Sequence, residues 1–182
     1  MTLTEIANIA LEDLGQNAVG NIDGADFNAR RLKRRICISI DTIQKKRNWV
    51  CLRQTVNLTR IGEKPNADGE YGYIMPKQLL NVIKSSAPFF KRGDTIYSQF
   101  PELELLCTIG TYNPDEWDIN LRDAIVAQVK RDMVGQIATD SNLITLVFNI
   151  TGRTISECAL NDAYDEKNRV VQTTQTWFDP MP

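Results

Sequence analysis

The groups in this chain able to do chemistry are four cysteines, two clusters of carboxylates and one basic stripe. Cys37, Cys51, Cys107 and Cys158 are scattered, with no C-x-x-C pair among them. That spacing suits reduced, small core residues; an extracellular disulfide pair is the alternative. The carboxylates Asp115-Glu116-Asp118 and Asp162-Asp165-Glu166 carry the charge for a hard cation but lack the regular oxygen-ligand loop of a calcium site. The first cluster sits where a helix N-terminus favours acids. Among the 182 residues there is no histidine, which removes Ser-His and Cys-His nucleophile pairs, histidine metal sites and histidine general bases together. Carboxylate or Ser-Lys chemistry survives as a class, but nothing localises it. No glycine-rich phosphate loop is present. The expectation is a protein with no catalytic residues, no metal and no cofactor.

The basic stripe is the sharpest charge feature. Arg30, Arg31, Arg34, Arg35, Lys45 and Lys46 fall on one arc of a helix, with Asp41 the only acid among them. Leu32, Ile36, Ile40 and Ile43, with Ala29 beside them, make the opposite, apolar stripe. The arc suits contact with an acidic protein surface, contact with DNA phosphates, or plain solvation of a helix face. The formal net charge is only -2, so any nucleic-acid contact has to come from this local patch. A second candidate is Trp177-Phe178, near the end of a β-branched, proline-containing stretch from Val170 to Pro182. It reads as an extended arm that either grips a partner or folds back over the chain's own helices. Arg92-Gly93-Asp94 matches an integrin-type tripeptide, but a hairpin turn explains its Gly-Asp pair. Asn57-Leu58-Thr59 and Asn149-Ile150-Thr151 match glycosylation sequons; the Met1–Glu5 start shows no basic region leading into an apolar core, so no signal peptide is expected.

The elements that must position these groups follow from periodicity. A first helix begins near Thr4-Glu5 and stops at Gly15. Gln16 to Gly24 reads as a loop. The second helix runs from about Asp26 to Asn48; Ile36-Cys37-Ile38-Ser39-Ile40 alone would suit a strand, but its long flanks favour helix. From Val50 the period falls to two. Val50, Leu52, Val56 and Leu58 face one side of a half-buried strand, and Gly62 to Gly69 is a polar hairpin tip. Further strands are expected at 71–74, 79–83, 89–91, 95–98 and 103–109, together forming one small antiparallel sheet. Asn113-Pro114-Asp115 turns into a third helix over about 117–138, with Leu121, Ala124, Ile125, Val129, Met133 and Ile137 on its apolar face. Ser141 caps a fourth, whose shared face is Leu143, Val147, Ile150, Thr154 and Cys158, and whose charged last turns, 162–169, project into solvent.

The apolar fraction of 42% and charged fraction of 24% are those of an ordinary globular chain. No apolar run approaches the ~20 residues needed to span a bilayer, so no membrane partner is expected. The reading is an α+β protein: a helical bundle from N- and C-terminal helices (3–48 and 117–168) around a β insertion at about 50–112. Residues 1–169 form a single domain, and residues 170–182 an extended C-terminal arm.

In order, the motifs resemble the tail tubular protein A, or head-to-tail adaptor, family of short-tailed phages. The resembling stretches begin with the Ala29-Arg30-Arg31 helix closing on Arg47-Asn48-Trp49, then Val56-Asn57-Leu58 and Tyr71-Gly72-Tyr73-Ile74-Met75-Pro76. They continue with Arg92-Gly93-Asp94-Thr95-Ile96-Tyr97, Tyr112-Asn113-Pro114-Asp115-Glu116-Trp117-Asp118, and the helix carrying Ala124, Ala127 and Ala138. The likeness covers about Leu3 to Asp165. The third helix departs from the family's alanine-rich pattern at Val126, Val129 and Lys130-Arg131, and the arm matches no family motif. The resemblance implies a structural virion protein at the tail vertex, made in the host cytoplasm: a ring, typically dodecameric, joining portal protein to tail nozzle protein and passing double-stranded DNA without specific binding. In that setting Arg30, Arg31, Arg34 and Arg35 are expected to face a neighbouring subunit or the portal, because a cationic lumen would hold DNA rather than let it slide. Trp177 and Phe178 are expected to anchor on the portal. The alternatives are a head-completion connector of a long-tailed phage and a DNA-binding module using the basic helix 29–48.

Overall fold

A computed structural model describes residues 1–24, 27–138 and 140–175, with only the backbone described at 27–28 and 168–175. The chain is α+β and divides into two compact units. One is made of Met1–Cys51 and the chain from Tyr112 on; the other is Leu52–Thr111.

The first unit is helical. Helix α1 spans Leu3–Asp13 and opens with a capping box: Thr2 Oγ1 accepts from Glu5 N–H, and Glu5 Oε2 accepts from Thr2 N–H. Its cap therefore lies two residues, and its first helical residue one, before the expected Thr4. Helix α2 spans Phe27–Lys46, α3 spans Ile119–Ile137 and α4 spans Ser141–Gln175. The other three helices all pack on α3. Its Leu121, Ala124, Ile125, Val126, Ala127, Val129, Met133 and Val134 are buried around nearly the whole circumference, as a central helix requires. Asp118 caps α3 by accepting from Leu121 N–H at 2.8 Å, and Asn113, Pro114 and the acids 115–116 form the 3-10 turn just before it.

The joint between α2 and α4 is polar and buried. Asp162 is 0% exposed. Its Oδ2 pairs with Arg47 Nη2 at 2.8 Å, and its Oδ1 accepts from Val50 N–H at 3.0 Å. Arg47 also donates to the Ala159 carbonyl, and its guanidinium lies 5.4 Å from the centre of the Trp49 ring. Trp49 is itself buried, donating from Nε1 to the Ile43 carbonyl at 2.9 Å. Asp162 thus belongs to the core, not to a solvated last turn. Its position fixes the rotation of α4: Thr151, Cys158 and Asp162 face inward, while Leu143 and Ile150, expected on the apolar face, are exposed. The 3-10 turn Val50–Leu52 replaces the first residues of the expected strand, because the Val50 N–H is held by Asp162. An extended arm expected from Val170 is instead helix as far as Gln175; once a helix is nucleated, β-branched residues cost only tenths of a kcal/mol each, or about 0.7 at most. Trp177 and Phe178 lie outside the described residues.

The second unit holds two three-stranded antiparallel sheets where one was expected. Strands β1 (Arg53–Asn57), β6 (Glu104–Ile109) and β3 (Leu79–Ser85) form the first. Strands β2 (Tyr71–Ile74), β5 (Thr95–Ser98) and β4 (Phe90–Arg92) form the second. The 62–69 tip closes a hairpin through an Arg60–Tyr73 bridge just past β1, while β1 itself pairs with β6. Arg92 faces Thr95 across a two-residue turn with Gly93 at φ +61°, the geometry in which glycine at the first position matches strand twist. Phe90 and Tyr97 stack across that hairpin with centres 5.5 Å apart. Tyr73, Ile96, Leu103, Leu105 and Cys107 form this unit's core.

Two outcomes are expected. Asp162→Ala strips the half-buried Arg47 of its counter-charge and the Val50 N–H of its acceptor and should cost roughly 3 kcal/mol, read as a fall in denaturation midpoint. The Tyr112 hydroxyl donates to Asp41 Oδ1 at 2.6 Å, and this bond, with burial, pushes its pKa up from 10.0 to about 12. A raised folded-state value means the contact stabilises fully below the unfolded value and is lost as pH rises through about 12. Burial also raises the Tyr73 pKa, so an ultraviolet titration should show late-ionising tyrosines, of which Asp41→Asn shifts only Tyr112 toward its ordinary range.

Candidate partner-binding cleft

On α2, residues Arg31, Arg34, Arg35, Ile38 and Thr42 share one face at helical spacing. Opposite them on α3 stand Gln128 and Asp132, one turn apart. Together they line an open cleft of about 500 Å³. Its polar floor is a network. Asp132 accepts from the Ser39 hydroxyl at 2.7 Å through Oδ2 and from Gln128 Nε2 at 2.8 Å through Oδ1. Gln128 Oε1 in turn accepts from Lys46 Nζ at 3.3 Å. Arg35 Nη1 donates to the Asp132 main-chain carbonyl at 3.4 Å, and Arg31 Nη2 to Gln136 Oε1 at 3.3 Å.

The floor leaves a charge surplus. Three guanidinium groups line the cleft against one carboxylate, and both oxygens of that carboxylate already accept hydrogen bonds inside the floor. Arg34 has no hydrogen bond or ion pair among the described residues. The Thr42 hydroxyl is committed to the Ile38 carbonyl at 2.7 Å, so it offers no poised nucleophile. An open cleft of this charge has the chemistry for an anionic group, and planar arginine forks suit carboxylates and phosphates in particular.

Of the residues expected to bind a partner, Arg31, Arg34 and Arg35 come together here. Arg30 is exposed and does not line the cleft. The arc is also less solvated than its helical wheel implies, since Arg35 is half-buried against α3. Asp132, Gln128 and Ser39 were missed. Ser39, lone polar residue in an isoleucine-rich run, and the four-residue spacing of Gln128 and Asp132 were the available signals, but only packing shows that they meet.

The other reactive groups are spent on structure. Asp115 pairs with the Met1 amino group at 3.1 Å, and Asp165 accepts from Asn120 Nδ2 at 3.1 Å. Among the described residues no three His, Cys, Asp or Glu side chains stand close enough to hold a metal ion, and no helix is long and apolar enough to cross a membrane. All four thiols are free, and burial pushes each of their pKa values up, that of Cys51 to about 11. No protein-family model matches the chain, and no curated protein matches it.

The network predicts a contrast. Asp132→Ala should cost about 1–3 kcal/mol by leaving Gln128 Nε2 without its acceptor and Ser39 with only the Arg35 carbonyl at 3.1 Å. Arg34→Ala should stay within about 0.5 kcal/mol of the parent, since that side chain supports nothing in the fold. Denaturant melts of the two variants check this.

Proposed function

We propose that this chain is a head-to-tail adaptor of a short-tailed phage: a ring-forming structural protein between portal and tail nozzle, with DNA passing through its centre. The sequence resemblance supports the reading. The observation that carries it furthest is where the resembling residues fall. Arg47 and Trp49 form the buried joint of the helical unit, Tyr71–Ile74 is β2, Gly93-Asp94 is the β4–β5 turn and Asn113–Asp118 caps α3. The distinctive residues build architecture, while the cationic cleft holds Arg34, which has no hydrogen bond or ion pair among the described residues, beside Arg31 and Arg35, which make one long hydrogen bond each. In this reading Arg31, Arg34 and Arg35 receive a carboxylate-bearing segment of the portal or of a neighbouring subunit, which neutralises them away from the DNA.

Co-sedimentation with the portal ring of the same phage tests the proposal. Saturable binding at a fixed stoichiometry is expected, and Arg31→Glu with Arg35→Glu should abolish ring assembly. A double variant that assembles normally but retains DNA differently would place the arginines in the lumen instead. Absence of any portal binding by the parent protein would overturn the reading.

A further inference from the structure

α4 has a second face. Opposite the buried Thr151, Cys158 and Asp162, the residues Leu146, Ile150, Arg153, Glu157, Leu160 and Tyr164 follow one another at spacings of four, three, four, three and four. That is the seam of a coiled coil. All six are exposed, and the four apolar ones leave 55%, 56%, 60% and 63% of their surface uncovered. The seam has two charges at its middle, Arg153 and Glu157, and neither has a hydrogen bond or ion pair within the chain among the described residues.

We infer that the free protein closes this seam with a second copy of itself, α4 against α4, antiparallel about a two-fold axis near Ile155. The charges set the register. With the axis there, Arg153 of each copy meets the partner's Glu157, giving two opposite-charge contacts. The same register places Leu146 against the partner's Tyr164 and Ile150 against the partner's Leu160, so every remaining layer is apolar. The match is of the kind antiparallel seams use, a-type positions facing d-type ones. A parallel pair in register would set Arg153 against Arg153 and Glu157 against Glu157, both repulsive. A two-fold contact closes on itself and stops at two copies. The inference is independent of the adaptor reading, since a two-fold pair does not by itself build a ring; the dimer is the form of the protein before any larger assembly.

Sedimentation velocity of the full chain over a concentration series tests it. The expected species has twice the 20.6 kDa mass of one chain and dissociates on dilution without larger forms. Arg153→Glu and Glu157→Arg each place like charges in both central layers and should weaken pairing by roughly a hundredfold. Both introduced residues are good helix formers at exposed positions, so circular dichroism should be unchanged. The double exchange R153E/E157R should restore the dimer. A parent chain that stays monomeric at tens of micromolar, a series extending beyond two copies, or single exchanges that leave the dimer intact would each overturn the inference. The last result is also what a parallel pair would give, since its layers are already like-charged.

Discussion

The buried contact between Arg47 and Asp162 is the constraint on which the helical unit depends. A carboxylate with no solvent exposure is tolerable only when its oxygens are paired, and here a guanidinium and a backbone amide pair them. Because Arg47 directly follows α2 and Asp162 lies in α4, far apart in sequence, the contact ties the end of α2 to one face of α4. It also holds the Val50 amide, so the chain turns in 3-10 form before it enters the second unit. The inward face of α4 follows from it: a helix turned to bury Asp162 must leave the residues half a turn away in water.

The interface of α2 with α3 uses polar groups differently. Ser39, Gln128 and Asp132 form a small satisfied network between otherwise apolar neighbours. Such networks favour one alignment of two helices, because any slip leaves a buried group unpaired. The network consumes the only carboxylate in the cleft and so leaves its arginines under-neutralised. The surplus positive charge of the cleft is thus a by-product of how the floor is satisfied. The α4 seam differs again: its surplus is apolar surface with one charge of each sign at the centre.

Much of the architecture was legible from local pattern. The 3.6-residue period placed α2 and α3 within a few residues, the glycine-aspartate pair placed the β4–β5 turn, and Asn113-Pro114 announced the start of α3. The cleft was half legible. Arg31, Arg34 and Arg35 share a face by spacing alone, but Asp132 and Gln128 lie about a hundred residues further on, and nothing local says that they oppose them. The reading of α4 was right in part: of its expected face Cys158 is buried and Val147 and Thr154 are half-buried, while Leu143 and Ile150 are exposed. Its sequence offers two stripes of similar apolarity, and choosing Leu143, Val147, Ile150, Thr154 and Cys158 as the inward one assumed that apolar content decides the face. The observed face is turned so that Asp162 is buried beside Arg47.

The sequence by itself determined the order of the four helices and six strands and which side chains have the chemistry to bind anions, because these depend on contacts within a few residues. Only the tertiary structure decided that the strands divide between two sheets, that Asp162 is a core residue and that the α4 seam faces outward. Those outcomes depend on which distant groups meet, and an amino acid's own type carries no record of its partner.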